Sequence, residues 1–352
     1  MPASGPTTPT RRSVLACLAG AVAWPSAAPA ALPLRHEQRR LFGSPIDVML
    51  ADDTSHGAGW MAATLGQLQR INDRWNAWKP GELQTLNAAL RAGRSAPVSP
   101  ALRAALRGAH AMEQASLGFF NAGIGGLVGA WGFHDDVMRD DARPSQRELD
   151  RWRDARPSLA QLRIRGAEVA ASNPALQIDL GGYAKGVAID AALGALAAHG
   201  CPAALVNLGG NLGAYGTPGA LPWRIGIRDP SANGLLVTLA TQGREAVVTS
   251  GSYERHHLAD GERVTHLIDP FDAMPAPELV SATVVHPLAA LADAGATALL
   301  VAGPRRWQAV AERMGLGEVL VVDRDGRCSA TARLAARLQF NARLRRQDLL
   351  VV

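Results

Sequence analysis

Ile178-Asp179-Leu180-Gly181-Gly182-Tyr183-Ala184-Lys185-Gly186-Val187-Ala188-Ile189-Asp190 begins as a short strand from Leu176, breaks at paired glycines, and resumes with the apolar spacing of a helix that continues from Ala184 to His199. Beyond it, strand patterns crowd the chain at Ala203–Leu208, Trp223–Ile227, Leu235–Ala240, Ala246–Thr249, His266–Ile268, Ser281–Val285 and Val319–Val322. One helix, Leu288–Val301, interrupts them. Upstream, a strand over Leu41–Ala51 precedes helices over Gly57–Trp75, Glu82–Arg91 and Pro100–Leu117, the last opened by a Ser99 cap and proline at the first helical position. Phe119–Phe133 contains Gly123, Gly125, Gly126, Gly129 and Gly132 and reads as a loop where backbone approaches something closely. Pro144–Leu162, rich in charge, reads as a surface helix or excursion. Strands outnumber helices and gather after them, so the expected class is α+β: one domain of mixed and antiparallel sheets with flanking helices, not a doubly wound sheet. No repeat or linker divides residues 36–352.

Composition narrows the function. Of 352 residues, 47% are apolar and 19% charged, which suits a chain that buries a core and excludes a disordered one. The 36 basic and 31 acidic residues include no basic block beyond short arginine runs, which argues against nucleic acid as a partner. Lys79 and Lys185 are the only lysines. Each is notable, because an ammonium can contact phosphate as a point charge where a guanidinium fork would not fit.

The first 30 residues read as an export signal: Arg11-Arg12, a short apolar run, then Ala28-Pro29-Ala30 as the cleavage site of a twin-arginine-type leader. The run from Ser13 to Trp24 falls short of the roughly 20 apolar residues a membrane span requires. A lipoprotein reading through Cys17 places the cysteine too close behind Arg12. The expected mature chain is periplasmic, without a transmembrane segment. Cys201 and Cys328 make one possible bridge in an oxidising compartment.

Several familiar sites fail on spacing. Gly123-Ile124-Gly125-Gly126-Leu127-Val128 lacks the third glycine of a dinucleotide fingerprint. Ala184 stands where a P-loop needs glycine before Lys185. The glycines around Ser250 and Ser252 do not form G-x-S-x-G, and His256, His257 and His266 match no zinc spacing.

Other runs can carry chemistry. At a helix start, free N–H groups and the positive dipole end beside the Lys185 ammonium suit an anion, though an ordinary turn with a solvent lysine has the same pattern. Asn207-Leu208-Gly209-Gly210 either passes beneath a flat ligand or turns a hairpin. His266, three residues before Asp269, suits a general base with an orienting carboxylate, or else a structural histidine. Asp293 and Thr297, four apart on a helix, present a carboxylate and a hydroxyl side by side, hard oxygens suited to Mg²⁺ or to a local hydrogen bond.

Taken in order, these runs resemble the ApbE family of FAD:protein FMN transferases over nearly the whole mature chain. The family's M-G-T is similar to Phe42-Gly43-Ser44, and its S-x-Y followed by S-E-x-x-x-x-N to Asn76-Ala77-Trp78 with Glu82 to Asn87. Its F-D-x-T-V-G-P-L-V…W-G-F matches Phe120-Asn121 through Leu127-Val128 to Trp131-Gly132-Phe133. D-x-G-x-x-A-K-G falls on Asp179 to Gly186, N-x-G-G on Asn207 to Gly210, T-S-G-x-Y on Thr249 to Tyr253, H-x-I-D-P on His266 to Pro270, and A-D-x-x-x-T on Ala292 to Thr297. Departures stand at Gly81, Asn121, Gly123 and Phe271-Asp272-Ala273, thinning the polar contacts around a nucleotide more than the metal pair.

The resemblance implies a Mg²⁺-dependent transfer of the FMN half of FAD to a threonine of a target protein, forming a phosphoester and releasing AMP. It implies metal ligands at Asp293, Thr297 and the Gly182 carbonyl, with Lys185 on FAD phosphate and Asp179 on the polar part of the nucleotide. Trp78 would stack on adenine. Phe42, Phe119, Phe120, Asn121 and Ser250 would line the cofactor site, and His266 with Asp269 would activate the acceptor hydroxyl. The implied partner is a periplasmic or membrane-bound acceptor flavoprotein of an electron-transfer chain. Two other outcomes use the same residues: an FAD pyrophosphatase yielding FMN and AMP, and a carrier that holds FAD without turnover.

Overall fold

The computed structural model describes residues 33–52, 55–134, 140, 142–276 and 278–352. The leader expected over residues 1–30 lies outside them. In chain order the elements are β1 (Leu34–Leu41), β2 (Ser44–Ala51), α1 (Gly57–Arg74), α2 (Glu82–Arg91), β3 (Ala96–Pro97), α3 (Pro100–Ala115), α4 (Gly125–Ala130), α5 (Gln146–Ala155), β4 (Leu162–Arg165) and β5 (Glu168–Ala171). The second half continues with α6 (Ala184–Ala198), β6 (Ala203–Leu208), β7 (Asn211–Tyr215), β8 (Arg224–Arg228), β9 (Leu235–Ala240), β10 (Glu245–Gly251), β11 (His256–Ala259), β12 (Glu262–Thr265) and β13 (Leu279–His286). It ends with α7 (Ala289–Ala302), α8 (Trp307–Arg313), β14 (Val319–Asp323), β15 (Cys328–Ala330), α9 (Ala332–Ala335) and β16 (Leu349–Val351).

The class is α+β, as expected. Nine strands form the main sheet in the order β1-β2-β6-β7-β10-β13-β14-β15-β16, antiparallel throughout except for β15 beside β16. Its central strands are buried on both faces. Val248 and Val284 enter the core beneath the helices while Val247 and Val285 enter a second core on the opposite side, the two-residue period of a strand. Apolar residues on all sides of α6 and α7 follow from the same layering, since both helices are enclosed between the sheet and other helices. Cys201 lies in the helix-side core and Cys328 in the opposite one, so they do not meet: both are free thiols.

Four local expectations change. The strand expected over Leu41–Ala51 is the second arm of a hairpin whose first arm, β1, is charged and exposed, a composition typical of a protected sheet edge and silent to apolar patterning. The glycine-rich Phe119–Phe133 stretch contains α4; a Cβ on Gly125 would lie 2.8 Å from the Gln177 carbonyl oxygen, so glycine there serves close packing of a helix. Residues 176–180 are extended without belonging to a sheet. Buried Asn87 receives the Ile178 amide and donates to the Ile178 carbonyl, both at 2.8 Å, acting as a strand partner made from one side chain. His266–Ile268 follows β12 rather than forming a strand, and Ile268 makes only an isolated bridge to Pro275.

Candidate active site

The helix-start geometry is built by two helices meeting at glycine. A Cβ on Gly186, in the first turn of α6, would collide with the Ala289 carbonyl at the start of α7. Asp190, one turn further along α6, accepts hydrogen bonds from the Ala289 and Ala290 amides, each at 2.9 Å, and so caps α7 from outside. This contact fixes the register of the two helices and brings Asp293 to the start of α6. Its Oδ2 accepts the Gly186 amide at 2.9 Å and its Oδ1 accepts the Asn211 side-chain amide at 2.7 Å. The Gly209-Gly210 turn, with φ of 65° and 97°, is the hairpin that delivers Asn211.

Thr297 lies one helical turn beyond Asp293, and a Cβ on Gly182 would fall 2.8 Å from its Oγ1. The Gly182 backbone, the Thr297 hydroxyl and the Asp293 carboxylate therefore face one small region. Asp293 is 2% exposed, and burial pushes its carboxyl up while the Lys185 ammonium, the Gly186 amide and Asn211 pull it down. A single buried carboxylate with neutral hard oxygens fits Mg²⁺, which commonly takes one or two carboxylates and completes its shell with substrate phosphate and water. Among the described residues no group of three or more His, Cys, Asp or Glu side chains forms an all-protein metal cage.

A second cluster lies beyond the Gly181-Gly182 bend. Asp179 accepts the Gly181 amide at 2.8 Å on Oδ1 and faces His134 Nε2 at 3.1 Å on Oδ2. Burial acts to raise the Asp179 carboxyl, but His134, the Gly181 amide and the Arg255 charge outweigh it and hold it below the usual carboxylate range. Trp78 stacks on His134 with ring centroids 5.1 Å apart and planes at 22°. The Arg255 guanidinium sits 5.3 Å from the Trp78 ring centre and donates to the Phe133 carbonyl at 2.7 Å.

Arg255 also supplies the partner of His266: its backbone carbonyl accepts from His266 Nδ1 at 3.0 Å. That bond places the imidazole's one proton on Nδ1 and leaves the Nε2 lone pair available. Burial, with the Arg255 and Lys185 charges, pushes the His266 pKa down to about 4, against smaller opposing effects of the Arg255 carbonyl and Asp179. Asp269 does not orient this ring. Its Oδ1 accepts the Phe271 amide at 2.8 Å and its Oδ2 lies 3.9 Å from Arg306, so it organises the turn after Pro270 instead.

Phe119 and Phe120 are both buried in the helix-side core: Phe119 meets the exposed Phe271 edge-on at 5.2 Å and lies 4.6 Å beneath the Arg306 guanidinium, and Phe120 lies against Tyr183. Asn121 donates to the Pro157 carbonyl at 2.9 Å and accepts the Gly123 amide at 2.8 Å, so both ends of its amide hold the loop. Phe42 is the left-handed corner of the β1–β2 hairpin, φ 53°, its amide bonded to Asn72 Oδ1 at 2.7 Å. Ser250 sits on β10 opposite Ala282. His134, Arg255 and Asn211 join the site without having been singled out by spacing; each directly follows or nearly follows a recognisable run, W-G-F, T-S-G-S-Y or N-L-G-G.

Comparison with known proteins places the chain in a family and a fold. A family model described as ApbE family matches residues 42–320. The chain is 41% identical over 279 residues to an FAD:protein FMN transferase of Rhodobacter capsulatus, covering 79% of this chain and 53% of that protein, so it spans about half of that relative's length. It is 31% identical over 262 residues to an FAD:protein FMN transferase of Vibrio cholerae, covering 73% of this chain and 78% of the relative. The crystal structure of the ApbE protein of Thermotoga maritima shares the fold with a TM-score of 0.80 at 24% identity, covering 87% of this chain and 99% of that one.

Proposed function

The chain belongs to the ApbE family, and from that premise we propose that it transfers the FMN half of FAD to a threonine of an acceptor flavoprotein, with Mg²⁺, releasing AMP. The observation that carries the reading is the convergence of Gly182, Asp293 and Thr297 beside Lys185 at the start of α6. In this reading the FAD diphosphate is neutralised at that helix start by the positive end of the α6 dipole and the Lys185 ammonium, because the amides of Tyr183, Ala184, Gly186 and Val187 are already bonded within the protein. Asp293, Thr297 and the Gly182 carbonyl hold Mg²⁺, which supplies charge neutralisation for the transferring phosphoryl group.

His266 is the base. Its Nδ1–H is held by the Arg255 carbonyl, so Nε2 takes the proton as the threonine Oγ attacks the flavin-side phosphorus. One P–O bond forms to threonine, the P–O bond to AMP breaks, and AMP leaves with the bridging oxygen. We further propose that the chain is exported through a twin-arginine-type leader and meets its acceptor in the periplasm or at the membrane surface, in an electron-transfer chain. Among the described residues no helix is long and apolar enough to cross a membrane.

The test is purified protein with FAD, Mg²⁺ and a threonine-bearing acceptor. Covalently flavinylated acceptor and AMP in equal amounts are expected. Free FMN with unmodified acceptor would replace the transferase with a pyrophosphatase, and bound FAD without AMP would replace it with a carrier.

A further inference from the structure

We propose that His134 is a positioning residue of the nucleotide pocket: it couples Trp78 to Asp179 so that the purine-nucleotide half of the substrate meets a preformed surface. The inference rests on the FAD reading above. A carboxylate only accepts hydrogen bonds, so the 3.1 Å contact requires His134 Nε2 to carry a proton and donate it to Asp179 Oδ2. The other carboxylate oxygen is fixed by the Gly181 amide, which leaves Asp179 with little rotational freedom. The same imidazole stacks on Trp78.

The arrangement closes into a ring. Arg255 lies against the indole and bonds the carbonyl of Phe133, the residue before His134, while the Phe133 side chain is wholly buried. The imidazole needs space that only glycine allows: a Cβ on Gly129 would sit 2.9 Å from His134 Nδ1. Finally, the Trp78 indole N–H is buried without an acceptor among the described residues, a donor that a ligand oxygen or ring nitrogen would satisfy. Trp78 and Asp179 are thus set by the protein before a ligand arrives, which lowers the ordering cost of binding.

The experiment titrates the full chain with FAD in the presence of Mg²⁺, following quenching of flavin fluorescence, for wild type, His134→Phe and His134→Gln. The phenylalanine variant keeps a ring on Trp78 but loses the donor, and binding is expected to weaken about tenfold, the scale of a hydrogen bond to a charged group. The glutamine variant keeps an N–H but loses the ring, and a loss of about threefold is expected. For both, kcat at saturating FAD should stay within about twofold of wild type while KM rises, since the proposed role is in binding. A cycle with Asp179→Asn should be non-additive, the second change costing less once the first is made. Wild-type affinity in both variants, simple multiplication in the cycle, or a fall in kcat at unchanged KM would each overturn the proposal. If wild type binds FAD and the variants bind equally well, only this inference fails; if wild type does not bind FAD, the functional reading itself fails.

Discussion

At neutral pH the His266 imidazole is uncharged, its proton on Nδ1 and a lone pair on Nε2, because burial and two neighbouring cations oppose a second proton. An unfolded chain protonates this ring near 6.5, the folded chain only at about 4. As pH falls through that window the unfolded state binds the extra proton first, so stability drops between about 6.5 and about 4 and this contribution levels off below. His266→Ala should flatten that part of the curve of Tm against pH, while FAD still binds and transfer of FMN to the acceptor falls by about 100-fold or more. A variant that loses FAD binding instead would mark His266 as part of the pocket wall. Asp293 makes a different kind of prediction. Asp293→Asn keeps the shape and can still receive the Gly186 amide, yet removes the charge, so Mg²⁺-dependent AMP release should fall at least about 100-fold with Tm lowered only slightly. Full turnover in that variant would remove Asp293 from the metal site.

Between helices, the narrowest tolerance is at Gly186. Any side chain there meets the start of α7, so Gly186→Ala should force α6 and α7 apart and cost about 1–3 kcal/mol of stability. Because the same turn carries Lys185 and the amide that donates to Asp293, activity should fall further than stability; unaltered denaturation midpoint and turnover would show that the helices have room to shift. This interface explains what was legible in the sequence. Periodicity and the paired glycines locate α6 and α7, and the i, i+4 spacing of Asp293 and Thr297 puts both on one face. What spacing lacks is the identity of a partner across the fold. Asp269 stands three residues after His266 and would make a natural orienter, but the turn that follows draws its carboxylate to the Phe271 amide, and a backbone carbonyl takes the role. Backbone partners leave no side-chain signature. Asn87 shows the same limit in reverse: its place in a motif resolves into a clamp on the Ile178 backbone, and His134 carries no motif although it touches two residues of the site.

Across the molecule, the site draws on segments as distant as Trp78 and Thr297, and their relative placement depends on a sheet covered on both faces. The face away from the site is closed by β8 and β9 and by the carboxyl-terminal segment. One arginine ties these parts together. Arg337 donates to both oxygens of Glu245 at 2.9 and 2.8 Å, to Glu318, and to the Ala240 carbonyl at 3.0 Å, with 10% of its side chain exposed and the two glutamates at 11% and 7%. Glu245 begins β10, Glu318 precedes β14 and Ala240 ends β9, so a single side chain joins the hairpin, the central sheet and the chain's last stretch. Arg337→Met would retain much of the buried volume but leave the buried Glu245 carboxylate without its cation and Glu318 with Arg333 alone, and the loss of one partner in such a network costs about 3–5 kcal/mol. Chemical denaturation should register that loss in full. The KM for FAD should hardly change below the transition, because Arg337 belongs to the second core and touches none of Trp78, Asp179, Lys185 or Asp293. A marked rise in KM at unchanged stability would instead mean that the sheet transmits strain from this clamp to α6, and that the two faces are not energetically separate.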